Sequence, residues 1–265
     1  MDKKVKIAAV GDNCMDVYDD TGEAFSGGNP VNVAVYVRRM CGESSYTGVV
    51  GDDAYGMAMI EAISSKGVDT SHIRVMRGKT AVTHVAVENG ERILGDYEEG
   101  VMSEFKLTPE DIEFLCSHDL VVTGIWGKIE SELYKIKDRG IPVAFDFADK
   151  LGHLITEEAL PYVDYAFFSY DNGDDEKLYE FMKNVKEKGP KLVVLTLGEK
   201  GSIVYDGNEF TKCGIVNCNV VDTMGAGDSY IAGFLMGLLE SRSIEECMYK
   251  GALSSSETIT YYGAW

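Results

Sequence analysis

From Thr108 onward, short apolar runs alternate with stretches of helical character, and this alternation constrains the fold more than any other feature of the chain. A helix that connects two strands of one sheet returns the chain to the starting edge, so the pattern predicts a mostly parallel sheet covered by helices. The predicted strands are 120–123, 143–147, 165–168 and 192–197, and the predicted helices are 109–116, 130–139 and 176–187. The fold class is therefore α/β.

The rest of the chain extends this pattern at both ends. Further strands are predicted at 5–10 and 46–50, a hairpin at 202–211, and helices at 30–40, 55–66, 226–240 and 243–261. Pro30 suits a helix start, because its missing N–H would be unpaired there. Gly67 suits the end of a helix. We expect one domain spanning residues 1–265, since no repeat or linker interrupts the chain.

Between Ile73 and Leu94 the pattern changes to β-alternation without a helix. Asn89-Gly90 is typical of a tight hairpin turn. This segment predicts a small β-excursion from the α/β body, joined by the segment from Val17 to Phe25. The expected lid comprises about residues 15–26 and 79–101.

Composition excludes several classes of function. The 265 residues are 45% hydrophobic, enough for a sizeable core, and carry a net charge of −19. Such a negative field repels phosphate backbones and anionic lipid, so we expect neither nucleic-acid nor membrane binding. The N-terminal apolar run is too short for a signal peptide, and the six cysteines are scattered without a zinc-binding pattern. We therefore expect a cytoplasmic protein with reduced thiols.

The strongest local motif is the glycine-rich segment 220–230 (VVDTMGAGDSY), in which a β-like run enters a turn that precedes a helix. Backbone N–H groups at a helix N-terminus attract anions. Asp228 would repel a phosphate, but it is useful there as a base that takes a proton from an attacking hydroxyl. An aspartate that merely caps a helix has the same local pattern, and the segment alone leaves both interpretations open.

Three other segments could bind ligands. Residues 27–34 (GGNPVNVA) place two glycines before a helix and Asn32 in its first turn, although a simple turn with a capping residue reads the same way. Asp12, Asn13 and Asp16 follow the first strand, where open α/β sheets bind ligands and where carboxylates suit a polyol. Residues 193–201 (VVLTLGEKG) form a buried strand and a glycine loop that could support a phosphate. Neither a P-loop nor a dinucleotide-binding motif is present.

In this order and spacing, segments 27–34, 51–56 (GDDAYG) and 222–228 (DTMGAGD) resemble the signatures of the ribokinase-like (PfkB) family of sugar kinases, and the likeness extends from Val5 to Trp265. The resemblance implies a three-layer α/β/α fold with a β-lid, and ATP and Mg²⁺ as cofactors. It implies a catalytic base at Asp228 with an anion hole at Gly225, Ala226 and Gly227. It also implies substrate contacts at Asp12, Asp16, Gly28, Asn29 and Asn32, and nucleotide contacts at Thr196, Gly198, Gly201 and Thr223.

Several stretches resemble the members of this family that act on fructosamines. They are 11–16 (GDNCMD), 95–102 (GDYEEGVM), 125–127 (IWG), 145–150 (FDFADK) and 262–265 (YGAW). The implied activity is ATP-dependent phosphorylation of the 6-hydroxyl of a fructosamine such as fructoselysine. The alternatives are a kinase for another sugar or nucleoside, such as fructose or ribose, and a non-catalytic sugar-binding protein on the same scaffold.

Two further expectations concern the lid and the metal. A fructosamine carries an ammonium group, which Glu98 and Trp126 could recognise through a carboxylate and a cation–π face. An isolated lid has only marginal stability in water. We therefore expect a homodimer in which the faces bearing Thr83, Val85 and Val87 pair. The family's metal-organising Asn-Glu-x-x-Glu motif has no clear counterpart in 168–176 (FSYDNGDDE), so the Mg²⁺ ligands stay unassigned.

Overall fold

The computed structural model describes residues 4–88, 91–170 and 175–265, apart from the side chains of residues 87–94. Its main element is a nine-stranded sheet in the order β13-β12-β11-β10-β9-β8-β1-β4-β5. The strands are β1 (Lys6–Val10), β4 (Glu43–Gly51), β5 (Asp69–Met76), β8 (Leu120–Gly124), β9 (Val143–Asp146), β10 (Tyr165–Ser169), β11 (Leu192–Thr196), β12 (Ser202–Tyr205) and β13 (Phe210–Cys213). All neighbours pair in parallel except at the β11–β12–β13 end.

Helices cover both faces of this sheet. They are α1 (Asn29–Arg39), α2 (Ala54–Ser65), α3 (Pro109–Leu115), α4 (Leu133–Lys137), α5 (Leu154–Ala159), α6 (Glu176–Glu187), α7 (Ala226–Leu239) and α8 (Ile244–Thr258). Alternate residues of β1 enter two separate cores, Ile7 and Ala9 on the side of α1 and α7, and Ala8 and Val10 on the side of α3, α4 and α6. A strand buried on both faces reads as a continuous apolar run. The predicted three-layer α/β/α fold is confirmed.

A second, four-stranded sheet forms the lid, in the order β3-β2-β6-β7. Its strands are β2 (Cys14–Tyr18), β3 (Ala24–Gly27), β6 (Val82–Glu88) and β7 (Glu91–Glu98). The register places Phe25, Asp16, Thr83 and Tyr97 side by side across the four strands. The predicted turn at Asn89-Gly90 lies outside the described residues, although the strands beside it pair antiparallel.

The structure corrects three expectations about elements. The region after Ile73 does not begin the lid, because residues 69–76 form β5, which pairs in parallel with β4 in the main sheet. Val220 and Val221 are not in a strand; residues 214–221 have no regular structure, and both valines are exposed. The predicted helix 130–139 is a 3₁₀ turn at Glu130–Glu132 followed by the short α4. In each case the apolar residues alone did not indicate whether they pack in the main sheet, in the lid or at the surface.

Candidate active site

Four of the predicted catalytic and sugar-binding residues, Asp12, Asn29, Asn32 and Asp228, converge with Asp146 where strands of the main sheet end and two helices begin. Asp12 follows β1, and Asp146 is the last residue of β9. Asn29 and Asn32 lie in the first turn of α1, and Asp228 lies in the first turn of α7. Parallel strands end at one edge of the sheet, so residues far apart in sequence meet there.

Hydrogen bonds join these side chains into one network. Asn29 Nδ2 donates to Asp228 Oδ1 at 2.6 Å and to Asp146 Oδ2 at 2.7 Å. Asn32 Nδ2 donates to the other Asp228 oxygen at 2.6 Å. The backbone N–H of Asn29 donates to Asp12 Oδ2 at 3.3 Å. Both oxygens of Asp228 are therefore held by amide donors, and the carboxylate has a fixed orientation.

The network holds three carboxylates whose proton affinities are unusual. Burial raises the pKa of Asp228 to about 6, although the amide donors of Asn32 and Asn29 oppose the rise. Burial, together with the charge of Asp228, raises the pKa of Asp146 to about 7 and that of Asp12 to about 7. None of these groups has an ion-pair partner of opposite charge among the described residues. The three buried carboxyl groups thus share the site without a cationic side chain, and burial favours their protonated forms.

The turn before Asp228 is shaped by close packing. Gly225 caps α7 with φ 73°, in the left-handed region, and a Cβ there would collide with the hydroxyl of Tyr36. Asp222 holds the turn from outside, because its carboxylate accepts from the N–H groups of Met224 at 3.0 Å and Gly263 at 2.7 Å. The first N–H groups of a helix have no partner within it, so the start of α7 offers donors to an anion.

A cleft of about 500 Å³ runs along the other side of this turn. All four predicted nucleotide-binding residues line it, namely Thr196, Gly198, Gly201 and Thr223. Ala226 and Gly227 line it as well, which places the start of α7 between the cleft and the carboxylate network. Nothing in the sequence indicated the apolar wall of this cleft, which is formed by Ile215, Val216, Val220 and Ile259. Residues 214–221 lack periodicity, so no local signal marked them.

Asp16 and Gly28 lie where the lid joins the site. Asp16 is in β2 of the lid and accepts a hydrogen bond from Cys14 Sγ at 3.4 Å. Gly28 has φ 117°, and a Cβ there would lie 2.7 Å from the Cα of Asn13, so only glycine fits between the lid and α1. Asp16 pairs in register with Phe25, which precedes the 27–28 glycine pair by two residues.

Glu98 and Trp126 lie outside the carboxylate network and already have cationic neighbours. Trp126 is 54% exposed, and Lys150 Nζ lies 5.9 Å from its ring centroid. Glu98 lies on the lid strand β7, 3.9 Å from the ring nitrogen Nε2 of His84. No hydrogen bond of the described residues joins either side chain to the network around Asp228.

Sequence reasoning assigned no role to three residues that complete the site. Asp146 was noted only as part of a resemblance, yet it shares the Asn29 amide with Asp228. The Tyr36 hydroxyl packs on Gly225 and donates to the carbonyl of Ala264. Trp265 donates from its indole Nε1 to Asn32 Oδ1 at 2.7 Å. An acidic residue at the end of a strand could have indicated Asp146, but the tertiary contacts of Tyr36 and Trp265 have no local signature.

Comparison with known proteins decides the family. Residues 6–265 match the pfkB family of carbohydrate kinases. The chain belongs to this family. It is 41% identical over 259 residues to a fructoselysine 6-kinase of Shigella flexneri, covering 98% of this chain and 99% of that one. It is 33% identical over 265 residues to a fructosamine kinase of Bacillus subtilis, covering 98% and 93%. These matches confirm the predicted family and the resemblance to its fructosamine-type members.

Solved structures agree with this assignment. A ribokinase of Arabidopsis thaliana, complexed with ribose and ATP, matches the kinase with a TM-score of 0.88 at 22% identity, covering 99% of this chain and 94% of that one. A sugar kinase of Pyrococcus horikoshii in complex with ATP matches with a TM-score of 0.77 at 24% identity, covering 98% and 94%. They establish the shared fold. Among the described residues, no helix is both long and apolar enough to span a membrane.

Proposed function

We propose that the kinase transfers the γ-phosphoryl group of ATP to the 6-hydroxyl of a fructosamine, with Asp228 as the general base. One observation carries the proposal: the Asp228 carboxylate, held by two asparagines, stands at the start of a helix whose first residues line the 500 Å³ cleft. A carboxylate with a pKa of about 6 is ionised at neutral pH and still basic enough to accept a proton.

The cleft fits a nucleotide in its chemistry. Its apolar wall, in which Ile215 is 51% exposed and Val220 is 62% exposed, suits a base. Thr196, Gly198 and Thr223 suit the phosphate chain, and the start of α7, where Ala226 and Gly227 line the cleft, suits the transferred group. With acceptor and donor aligned, the protein's main contributions are positioning and stabilisation of negative charge.

Phosphoryl transfer from ATP also calls for Mg²⁺, which neutralises phosphate charge. The described residues contain no cluster of three acidic, histidine or cysteine side chains able to hold a metal ion. Residues 171–174, part of the segment where the family's metal-organising motif is expected, lie outside the described residues. We therefore include Mg²⁺ in the proposed reaction and assign it no protein ligands.

The acidic side chains of the site support the acceptor class. Asp12, Asp146 and Asp228 are connected through Asn29, and Asp12 Oδ1 is buried with no hydrogen-bond partner in the described structure. A neutral sugar would add hydroxyl donors but leave the charge uncompensated. A fructosamine brings a secondary ammonium with two N–H donors, which suits this set of carboxylates. We therefore place the ammonium on the Asp12 side of the network, so that the 6-hydroxyl can reach Asp228, with Glu98 and Trp126 as outer contributors.

A substrate panel tests this function. Turnover of ATP would be measured with fructoselysine, fructose, ribose and adenosine, for the wild type and for Asp228→Asn. For the wild type we expect the highest kcat/KM with fructoselysine, and a product whose phosphorus couples to the C6 protons by NMR. We expect almost no turnover by Asp228→Asn. A higher kcat/KM with a neutral sugar or nucleoside would overturn the acceptor class. Sugar binding without turnover would favour a binding protein.

The lid supports the proposal of a homodimer. Phe25 and Tyr97 flank Asp16 and Thr83 in one row across the lid, yet Phe25 is 48% exposed and Tyr97 is 45% exposed. Val85, which the sequence analysis placed on the pairing face, is already buried within its own chain. We propose that the two outer strands of the lid meet a second copy through Phe25 and Tyr97, while Asp16 between them faces the substrate. A cytoplasmic location stays a prediction of the sequence.

A further inference from the structure

The segment 261–265 is built into the active site. Gly263 donates its N–H to Asp222, and the carbonyl of Ala264 accepts from the hydroxyl of Tyr36, the side chain that packs on Gly225. Trp265 continues this segment to the carboxylate network, where its indole Nε1 lies 2.7 Å from Asn32 Oδ1. The last residues of the chain thus contact both the turn before Asp228 and one of the two amides that hold it.

The indole decides which way the Asn32 amide points. An indole N–H can only donate, so it requires the amide oxygen of Asn32 on its side. The amide NH₂ then faces Asp228 Oδ2, to which it donates at 2.6 Å. The opposite orientation would set the amide oxygen against a carboxylate and the NH₂ against another N–H. Asn32 is 5% exposed, so water has little access to repair such contacts.

We propose that Trp265 is a positioning residue for the reaction: its indole N–H fixes the Asn32 amide, which in turn presents a donor to the Asp228 carboxylate. The inference rests on the proposed role of Asp228 as the base. Trp265 donates to Asn32 and not to the Asp228 carboxylate, so it acts only through Asn32.

The consequence is a shift in pH dependence. Without the indole donor, the Asn32 amide is free to turn its oxygen toward Asp228 when that carboxyl is protonated and to accept its O–H, which stabilises the neutral form and raises the pKa of Asp228. The other titratable groups that face Asp228 in the described structure are Asp12 after β1, Asp146 at the end of β9 and Tyr36 in α1. They remain in place in all variants below, so any difference between profiles comes from the changed side chain.

The test compares pH profiles of kcat/KM for the wild type, Trp265→Phe and a variant with 3-benzothienylalanine at position 265, which keeps the shape of the indole without its N–H. Removing the donor should move the acidic limb upward by about one pH unit. Activity at pH 6 would then fall about fivefold relative to the wild type, with little change at pH 8.5. The KM for ATP should stay the same.

Lys66→Ala is the matched control. Lys66 Nζ lies 5.5 Å from the centroid of the Trp265 ring, so this change removes a neighbour of the same side chain and leaves the N–H intact. We expect a wild-type profile. If the benzothienyl variant also keeps the wild-type profile, Trp265 only packs and the inference is wrong. A separate result, substantial activity of Asp228→Asn, would instead refute the base itself.

Discussion

The proposed role of Asp228 makes two demands on a single residue. The carboxylate must stay ionised beside a helix start that suits an anion, and it must still accept a proton. The opposing effects of burial and two amide donors give Asp228 a pKa of about 6. We expect Asp228→Asn to lower kcat by about 10²- to 10⁴-fold while the Kd for ATP changes little. Stopped-flow kinetics and calorimetric titration with ATP measure the two quantities. Retention of more than half of the wild-type kcat would contradict the role.

Substitutions at predicted sugar-binding residues should affect the KM for the sugar more than the KM for ATP. Asp16→Ala and Asn32→Ala each leave a hydroxyl partner unpaired, which costs about 1–3 kcal/mol. Asn32→Ala also removes an amide donor from Asp228, so we expect this variant to lower kcat as well. We expect the KM for the sugar to rise about 5- to 150-fold and the KM for ATP to change little. Equal losses for both substrates would indicate a folding defect.

Recognition of the ammonium group can be dissected in the same way. Asp12→Asn should raise the KM for fructoselysine at least tenfold and the KM for fructose by a smaller factor, because only fructoselysine loses a charge partner. Trp126→Ala and Glu98→Gln should raise the same KM by smaller factors, since Lys150 and His84 already lie beside these side chains. If all three variants affect both sugars alike, the specificity for amines arises elsewhere.

At the scale of elements, one buried carboxylate joins β5 to α3. Asp111 is 3% exposed, lies 2.6 Å from Arg74 of β5 and closes the capping box at the start of α3 by accepting from the Thr108 N–H at 2.9 Å. Asp111→Ala should lower the free energy of unfolding in urea by about 1–3 kcal/mol without changing the KM for either substrate. Glu110→Ala, on the exposed side of the same turn, is the control and should have little effect. A change in KM would mean that this edge of the sheet is energetically coupled to the candidate active site.

At the scale of the whole molecule, the active-site carboxylates reduce stability. A folded-state pKa of about 7 for Asp12 means that the folded chain binds more protons than the unfolded chain between about pH 4 and pH 7, so this group's contribution to stability falls as pH rises through that window. Asp12→Asn removes the effect. We expect its Tm at pH 8 to exceed that of the wild type by about 2–4 °C, for a gain of about 1 kcal/mol, and the difference to shrink at pH 5. An unchanged or lower Tm at pH 8 would show that the charge is compensated in the protein.

Assembly is the other property of the whole molecule. Two lids that meet through Phe25 and Tyr97 would cover apolar surface that a single chain leaves exposed. Light scattering at micromolar concentration should give the mass of a dimer. Phe25→Ser with Tyr97→Ser should shift the mass toward a monomer, whereas Tyr262→Ser, an exposed aromatic outside the lid, should not. A monomeric wild type would refute the proposal.

The sequence determined the layers of the fold and the chemistry of its loops, because both are local properties. A strand buried on both faces, such as β1, consists of consecutive apolar residues. The glycine turn before Asp228 is likewise formed by residues that are consecutive in the chain. The resemblance carried by those loops sufficed to predict the family. It also singled out Thr196, Gly198, Gly201 and Thr223, which line one cleft of the structure.

Only the tertiary structure decided how these residues act together. The edge strand β5 has a mixed burial pattern, because it is covered less than the central strands, and its place depends on partners such as Asp111. The Asn29 amide joins Asp146 and Asp228, which lie 82 positions apart in the printed sequence, and Trp265 reaches Asn32 across almost the whole chain. Such contacts depend on where strands and helices end in space, and no spacing along the chain encodes them. The raised pKa values at the site follow from the same convergence, since burial and neighbouring charge exist only once the chain has folded.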